Sequence, residues 1–236
     1  MTALQTSSPA ITLPEDDRAA FVARVYQHVA AAVAAFVAIE ALFFMTGFAE
    51  RMYDFVAGGG GMRWLLILGA FMIGNWFIAG AAANLDNPAS QYGGLVGIAA
   101  LEAFIFAPFL FYVYRVQDAG STVMAAAVVT GLGFAILTAI GLFTRRDLSF
   151  IRPLIMWGFG IALLLIIGAV IFGFNLGVWF SVAMIGLAGA AILYQTQTIL
   201  REYPANAYVP AAIALFGSLM TMFWYVLRLF MQLSSD

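Results

Sequence analysis

Four polar residues stand inside apolar runs long enough to cross a bilayer, and their side chains are the first places to look for chemistry. Glu40 falls a little past the middle of one run, Asn75 and Glu102 near the middle of the next two, and Arg228 within the outer turns of the last. An ionised group at bilayer depth costs about 2.5–3.5 kcal/mol or more, so each should face protein or a wet cavity. For the two carboxylates this leaves two roles: a proton or cation ligand, or hydrogen-bonded glue between helices. Arg228 is long enough to snorkel to the interface. Two polar stripes accompany these residues. At about 100° per residue, Ser218, Thr221, Tyr225 and Arg228 fall within an arc of about 80°. Tyr194, Gln197 and Thr198 share another face, with Gln195 about a quarter-turn away. Such stripes either line a water-filled path or tie helices together with bonds worth about 1 kcal/mol or less.

The elements that must hold these residues are helices in lipid. With 64% apolar and 9% charged residues, the chain lacks the charge, about a quarter of all residues, that covers a soluble domain. A spanning helix needs about 20 apolar residues. Cutting the chain at its clusters of charge, Pro, Gly and Asn gives seven such runs, at 24–48, 63–84, 91–114, 121–143, 151–174, 178–200 and 208–233. A β-barrel would alternate in segments of about ten residues, and these runs do not alternate. The expected fold is therefore an all-α integral membrane protein, a bundle of seven transmembrane helices over residues 21–236, preceded by a solvated tail at 1–20 that carries Glu15, Asp16 and Asp17. Gly93 with Gly97, and Gly186 with Ala190, are spaced for close helix packing. Arginines favour the cytoplasmic side. Six of them (Arg18, Arg24, Arg145, Arg146, Arg152, Arg201) fall on one side against Arg51, Arg63, Arg115 and Arg228 on the other, which predicts a cytoplasmic N-terminus.

Inventory narrows the function. There is no cysteine and one histidine, His28, so cysteine-held metal centres and thiol catalysis are excluded and His28 reads as a satisfied packing residue. Intramembrane hydrolysis needs a Ser–His couple, two aspartates or a metal. The runs supply none of these, so no catalytic residue, metal or cofactor is expected. A net charge of −2 with scattered arginines gives nucleic acid no footing. The partners expected are the lipid bilayer and, in one of the two readings below, another membrane-protein complex.

Several segments together resemble a known family. Phe21-Val22-Ala23-Arg24-Val25-Tyr26 opens a long alanine-rich helix, and Phe143-Thr144-Arg145-Arg146-Asp147-Leu148-Ser149-Phe150 closes the fourth run. Leu193-Tyr194-Gln195-Thr196-Gln197 ends the sixth, and Ala214 to Phe223 followed by Val226-Leu227-Arg228-Leu229 forms the last. These are similar to the transmembrane Bax inhibitor motif family, whose bacterial members include the YccA type. The resemblance implies seven helices in a bacterial inner membrane. It implies either a pH-sensitive calcium leak or modulation of partners such as a quality-control protease. Family members that leak calcium share a proton between an aspartate on each of the last two helices. The matching positions here are Gln195 and Ser218, which do not titrate. The expectation is thus a cation path lined by Glu102 and the two stripes, without the proton switch. The alternative is a non-transporting subunit that uses its polar groups as glue.

Overall fold

The computed structural model of the chain describes residues 9–117, 119–144 and 146–234. Among them it contains eight α-helices and no strand: α1 (Glu15–Met45), α2 (Phe48–Ala57), α3 (Gly60–Ala82), α4 (Pro88–Phe111), α5 (Gly120–Phe143), α6 (Arg152–Phe172), α7 (Gly177–Glu202) and α8 (Tyr208–Leu233). All but α2 are long and apolar enough to cross a membrane, so the seven expected runs are the seven spans. Arg145, half of the densest basic pair, lies outside the described residues.

Two elements differ from the sequence reading. Helix α1 starts at Glu15, inside the stretch read as tail, because Glu15, Asp16 and Asp17 occupy its first turn and complement the positive end of the helix. The turn before it is docked. Ala10 is fully buried and its amide donates to the Tyr203 carbonyl at 3.0 Å. Ala10 packs with Phe21, Val25 and Val29 against Ile199, Ala211 and Leu215. The second difference is α2, where the sequence showed only a break at Glu50 and Arg51. Its apolar positions Ala49, Met52, Tyr53 and Val56 recur at helical spacing and are the sheltered ones, while Glu50, Arg51 and Asp54 are exposed. Gly47, at φ +69, makes the reversal between α1 and α2 that a residue with a Cβ would resist.

The bundle is built around α8, which touches α1, α3, α4, α5 and α7, whereas the outlying α6 rests on α3 and α7. The α4–α8 contact is aromatic. Phe106 lies parallel to Phe223 at 5.5 Å and meets Trp224 edge-on at 4.9 Å, and Trp224 stacks on Trp64 of α3 at 5.5 Å. Small residues allow close approach, but not all those expected. Gly97 faces Ile78 and Gly94 sits so close to α3 that an added Cβ would lie 2.7 Å from that of Ala82, while Gly93 and Gly186 face open space. Capping follows local chemistry. Asn87 accepts the Ser90 amide at 3.2 Å ahead of Pro88, and the Gln91 amide donates to the Asn84 and Leu85 carbonyls.

Phe106→Ala is expected to destabilise the protein by about 3–5 kcal/mol, since it leaves a hole at the centre of the aromatic stack. Phe77→Ala, at a ring that is 63% exposed to the surroundings, should change stability by less than about 0.5 kcal/mol. Unfolding midpoints of the two variants in one detergent measure the difference.

Candidate functional site

The structure separates the two buried carboxylates. Glu102 and Glu40 are each 6% exposed, but they line different cavities on opposite sides of α8. Met220 borders both, and the parallel Phe106 and Phe223 rings complete the partition, Phe106 facing the first cavity and Phe223 the second.

The first cavity, about 690 Å³, is a cleft among α3, α4, α6, α7 and α8. Glu102, Met72 and Met220 lie at mid-helix and form its inner end. Gly61, Gly173, Asn175 and Arg228, at or near the helix ends on the side where α8 terminates, form its mouth. Along α8 its wall carries Thr221, Tyr225 and Arg228, so three residues of the expected stripe do share one cavity. Thr221 satisfies its hydroxyl on the Gly217 carbonyl at 2.9 Å. Arg228 lies 5.9 Å from the Phe180 ring centre. No hydrogen bond or ion pair joins Glu102 to a described residue, so its carboxyl meets the cavity alone. Beyond it, towards the other membrane face, Leu95, Ile98, Ile192 and Phe216 are packed in one buried cluster. The cleft is a dead end in this conformation.

The second cavity, about 560 Å³, lies among α1, the end of α4, α5 and α8. It is almost wholly apolar apart from Glu40, Thr130 and Tyr114, and both Glu40 oxygens and the Thr130 hydroxyl are buried without a hydrogen-bond partner. Sequence reading passed over Thr130 because a lone threonine in an apolar run is an ordinary helix residue.

The remaining expected site residues lie elsewhere. Asn75 is exposed on the outside of α3 and enters neither cavity, against the expectation that a polar group at this depth turns inward. The α7 stripe does not line a path. Gln197 is buried and holds the α5–α6 connection instead, its amide nitrogen donating to the Thr144 and Arg146 carbonyls at 3.0 and 2.7 Å and its oxygen accepting the Leu148 amide at 3.0 Å. Tyr194 and Gln195 are half-buried near the same end, with Gln195 Oε1 unpartnered, and Ser218 is buried on α8 outside both cavities. The connection is also pinned by charge, Arg201 lying 3.6 Å from Asp147. The Ser149 amide, 2.8 Å from Asp147, and the Ser149 hydroxyl hold this carboxyl below the usual range, with Arg201 adding to the effect. Protonation therefore removes the Asp147–Arg201 pair only when pH falls below the ordinary carboxylate range. At the other end of α7, Ser181, which sequence did not single out, is fully buried and donates to Gln232 at 3.0 Å. His28 sits between Tyr92 and Tyr208, its Nδ1 2.7 Å from the Arg24 carbonyl.

These features define a multi-pass helical membrane protein with a blind cleft, apolar but for a few polar side chains, on one side of a central helix. Residues 18–235 match the family model described as inhibitor of apoptosis-promoting Bax1. The chain belongs to the Bax inhibitor-1 family. It is also 32% identical over 143 residues to an uncharacterised protein of Pseudomonas aeruginosa; the match covers 58% of this chain and 63% of that relative's length.

Gln197→Leu should cost about 1–3 kcal/mol, because it strips partners from three backbone groups. Hydrogen exchange at the Leu148 amide reads this directly. Faster exchange there, with the α4 core unchanged, is the expected result.

Proposed function

We propose that this protein is a cation leak pathway of a bacterial inner membrane, calcium among its cargo, with its N-terminus in the cytoplasm and Glu102 as the site that draws the cation into the bundle. The observation that carries this reading is that Glu102, unlike Glu40, shares its cleft with a row of polar side chains, Thr221, Tyr225 and Arg228 on α8 and Asn175 beside the helix ends. A calcium ion takes six to eight oxygen ligands, and the cleft offers one carboxylate with the Asn175 amide and the Thr221 and Tyr225 hydroxyls. Such a set cannot strip and store the ion, so the cation passes hydrated. The plug of Leu95, Ile98, Ile192 and Phe216 must part for conduction, and with Gln195 and Ser218 in place of a carboxylate pair that opening is not a shared-proton switch. Arg228 at the mouth opposes cation entry.

A second reading is favoured by Asn75. An amide turned towards acyl chains has no partner there, and a neighbouring membrane protein would supply one. Under that reading the chain is a non-transporting subunit of another complex, such as a quality-control protease.

Liposomes loaded with a calcium dye decide between the two. Wild-type protein should pass calcium, and Glu102→Gln should slow the flux about tenfold, the equivalent of about 1.4 kcal/mol of lost cation attraction. Arg228→Gln should raise it. Absence of flux at every pH from about 5 to about 8 overturns the leak reading. In that case a partner recovered in mild detergent by wild type, and lost with Asn75→Leu, supports the second.

A further inference from the structure

The Glu40 cavity has no role in the cleft just described, and it is a site in its own right. Three features define it. Helices α1 and α5 meet at one end, where Tyr26 packs on Phe134, and are otherwise little packed against each other, and the residues at its rim, Val37, Ala41, Ala127 and Gly131, are exposed on the outer surface of the bundle. The crevice therefore opens sideways, into lipid, between two spanning helices. Its walls, including Phe36, Phe134 and Phe223, are apolar, which suits a hydrocarbon chain. Beside the Tyr114 hydroxyl at one end, its lining residues carry the two Glu40 oxygens and the Thr130 hydroxyl, all buried and all unpartnered. Leaving buried polar groups unpaired costs about 1–3 kcal/mol each, and nothing in the described protein offsets that.

We infer that this crevice binds a single-chain hydrophobic primary amine that enters laterally from the bilayer. An ammonium group has three N–H donors, and the residues lining the crevice carry three buried oxygens without a hydrogen-bond partner. An alcohol brings one donor, and a quaternary ammonium brings charge without any. A carboxylate ligand would place two acids together. The volume of about 560 Å³ lies within the range of about 300–1,000 Å³ typical of small-ligand sites and is too small for a partner helix. Glu40 lies five residues before the end of its helix at Met45, so a phospholipid headgroup amine is the competing source of the same chemistry, and the phosphatidylethanolamine arm below separates the two. Proton transfer from acid to amine, if Glu40 starts protonated, conserves all atoms and yields the ion pair in place.

Saturable binding of radiolabelled dodecylamine to the full chain in phosphatidylcholine nanodiscs tests this. Wild type should show one site per chain, displaced by unlabelled dodecylamine but not by dodecanol or dodecyltrimethylammonium. Glu40→Gln, which keeps the size of the side chain, should weaken binding about tenfold or more, and Thr130→Val should weaken it less. Gly131 has open space around its Cβ position, so Gly131→Phe fills the crevice while leaving Glu40 intact and should abolish binding. Gly160→Phe, placed in open space on α6, should not. Equal binding by Glu40→Gln, equal competition by dodecanol, or no saturable site in wild type overturns the proposal. Loss of binding in phosphatidylethanolamine nanodiscs would overturn the single-chain amine and give the crevice to the lipid headgroup. None of these outcomes depends on ion flux.

Discussion

Hydrocarbon offers no hydrogen bonds, and that single property of the solvent organises this molecule. It forces the backbone into helices, and it makes every polar side chain at depth either a contact within protein or the lining of a wet space. Helix α8 is where the two solutions meet. One wall of it carries Thr221, Tyr225 and Arg228 into the cleft of Glu102, and beside it Phe223 and Leu219 look into the crevice of Glu40. The Phe106–Phe223 stack and Met220 keep the two apart.

This partition gives two carboxylates of equal burial different chemistry. Glu102 shares its cavity with an amide, hydroxyls and a guanidinium. Glu40 shares its own with one threonine hydroxyl among aromatic and aliphatic groups, and the cavity reaches lipid. Burial alone does not assign a role; the side chains that line each cavity do. The proposed cation path and the proposed amine site are thus separable readings of one architecture.

Much of this was legible in the chain because the lipid constraint is strong. Seven long apolar runs and the family motifs marked out the seven spans, and the stripe through Thr221, Tyr225 and Arg228 was visible from its spacing. Which way each helix faces was far less legible. In a soluble helix the polar face identifies the outside, but in lipid both faces are apolar, so Asn75 was expected to turn inward and instead lies on the outer surface. The same ambiguity hid the separation of Glu40 from Glu102 and the choice of Gly94 over Gly93 at the α3–α4 contact. Of the two readings open for the stripe through Gln197, a path or a tie, the structure shows the tie. Spacing could not choose between them, but its position at the end of α7 places it where a connection between helices needs backbone partners. The short helix α2 escaped notice because its charges read as a break, although its apolar spacing was already helical.

The central claim is that α8 divides the bundle into a watery side and an oily side. The natural chain has no cysteine, so single cysteines placed by Glu102→Cys and Glu40→Cys report without background. In sealed vesicles, a membrane-impermeant methanethiosulfonate applied from the side where α8 ends should modify position 102 and leave position 40 untouched, while a lipid-soluble maleimide should modify position 40. Equal reaction of both positions with the impermeant reagent, or reaction of position 40 alone, would contradict the partition.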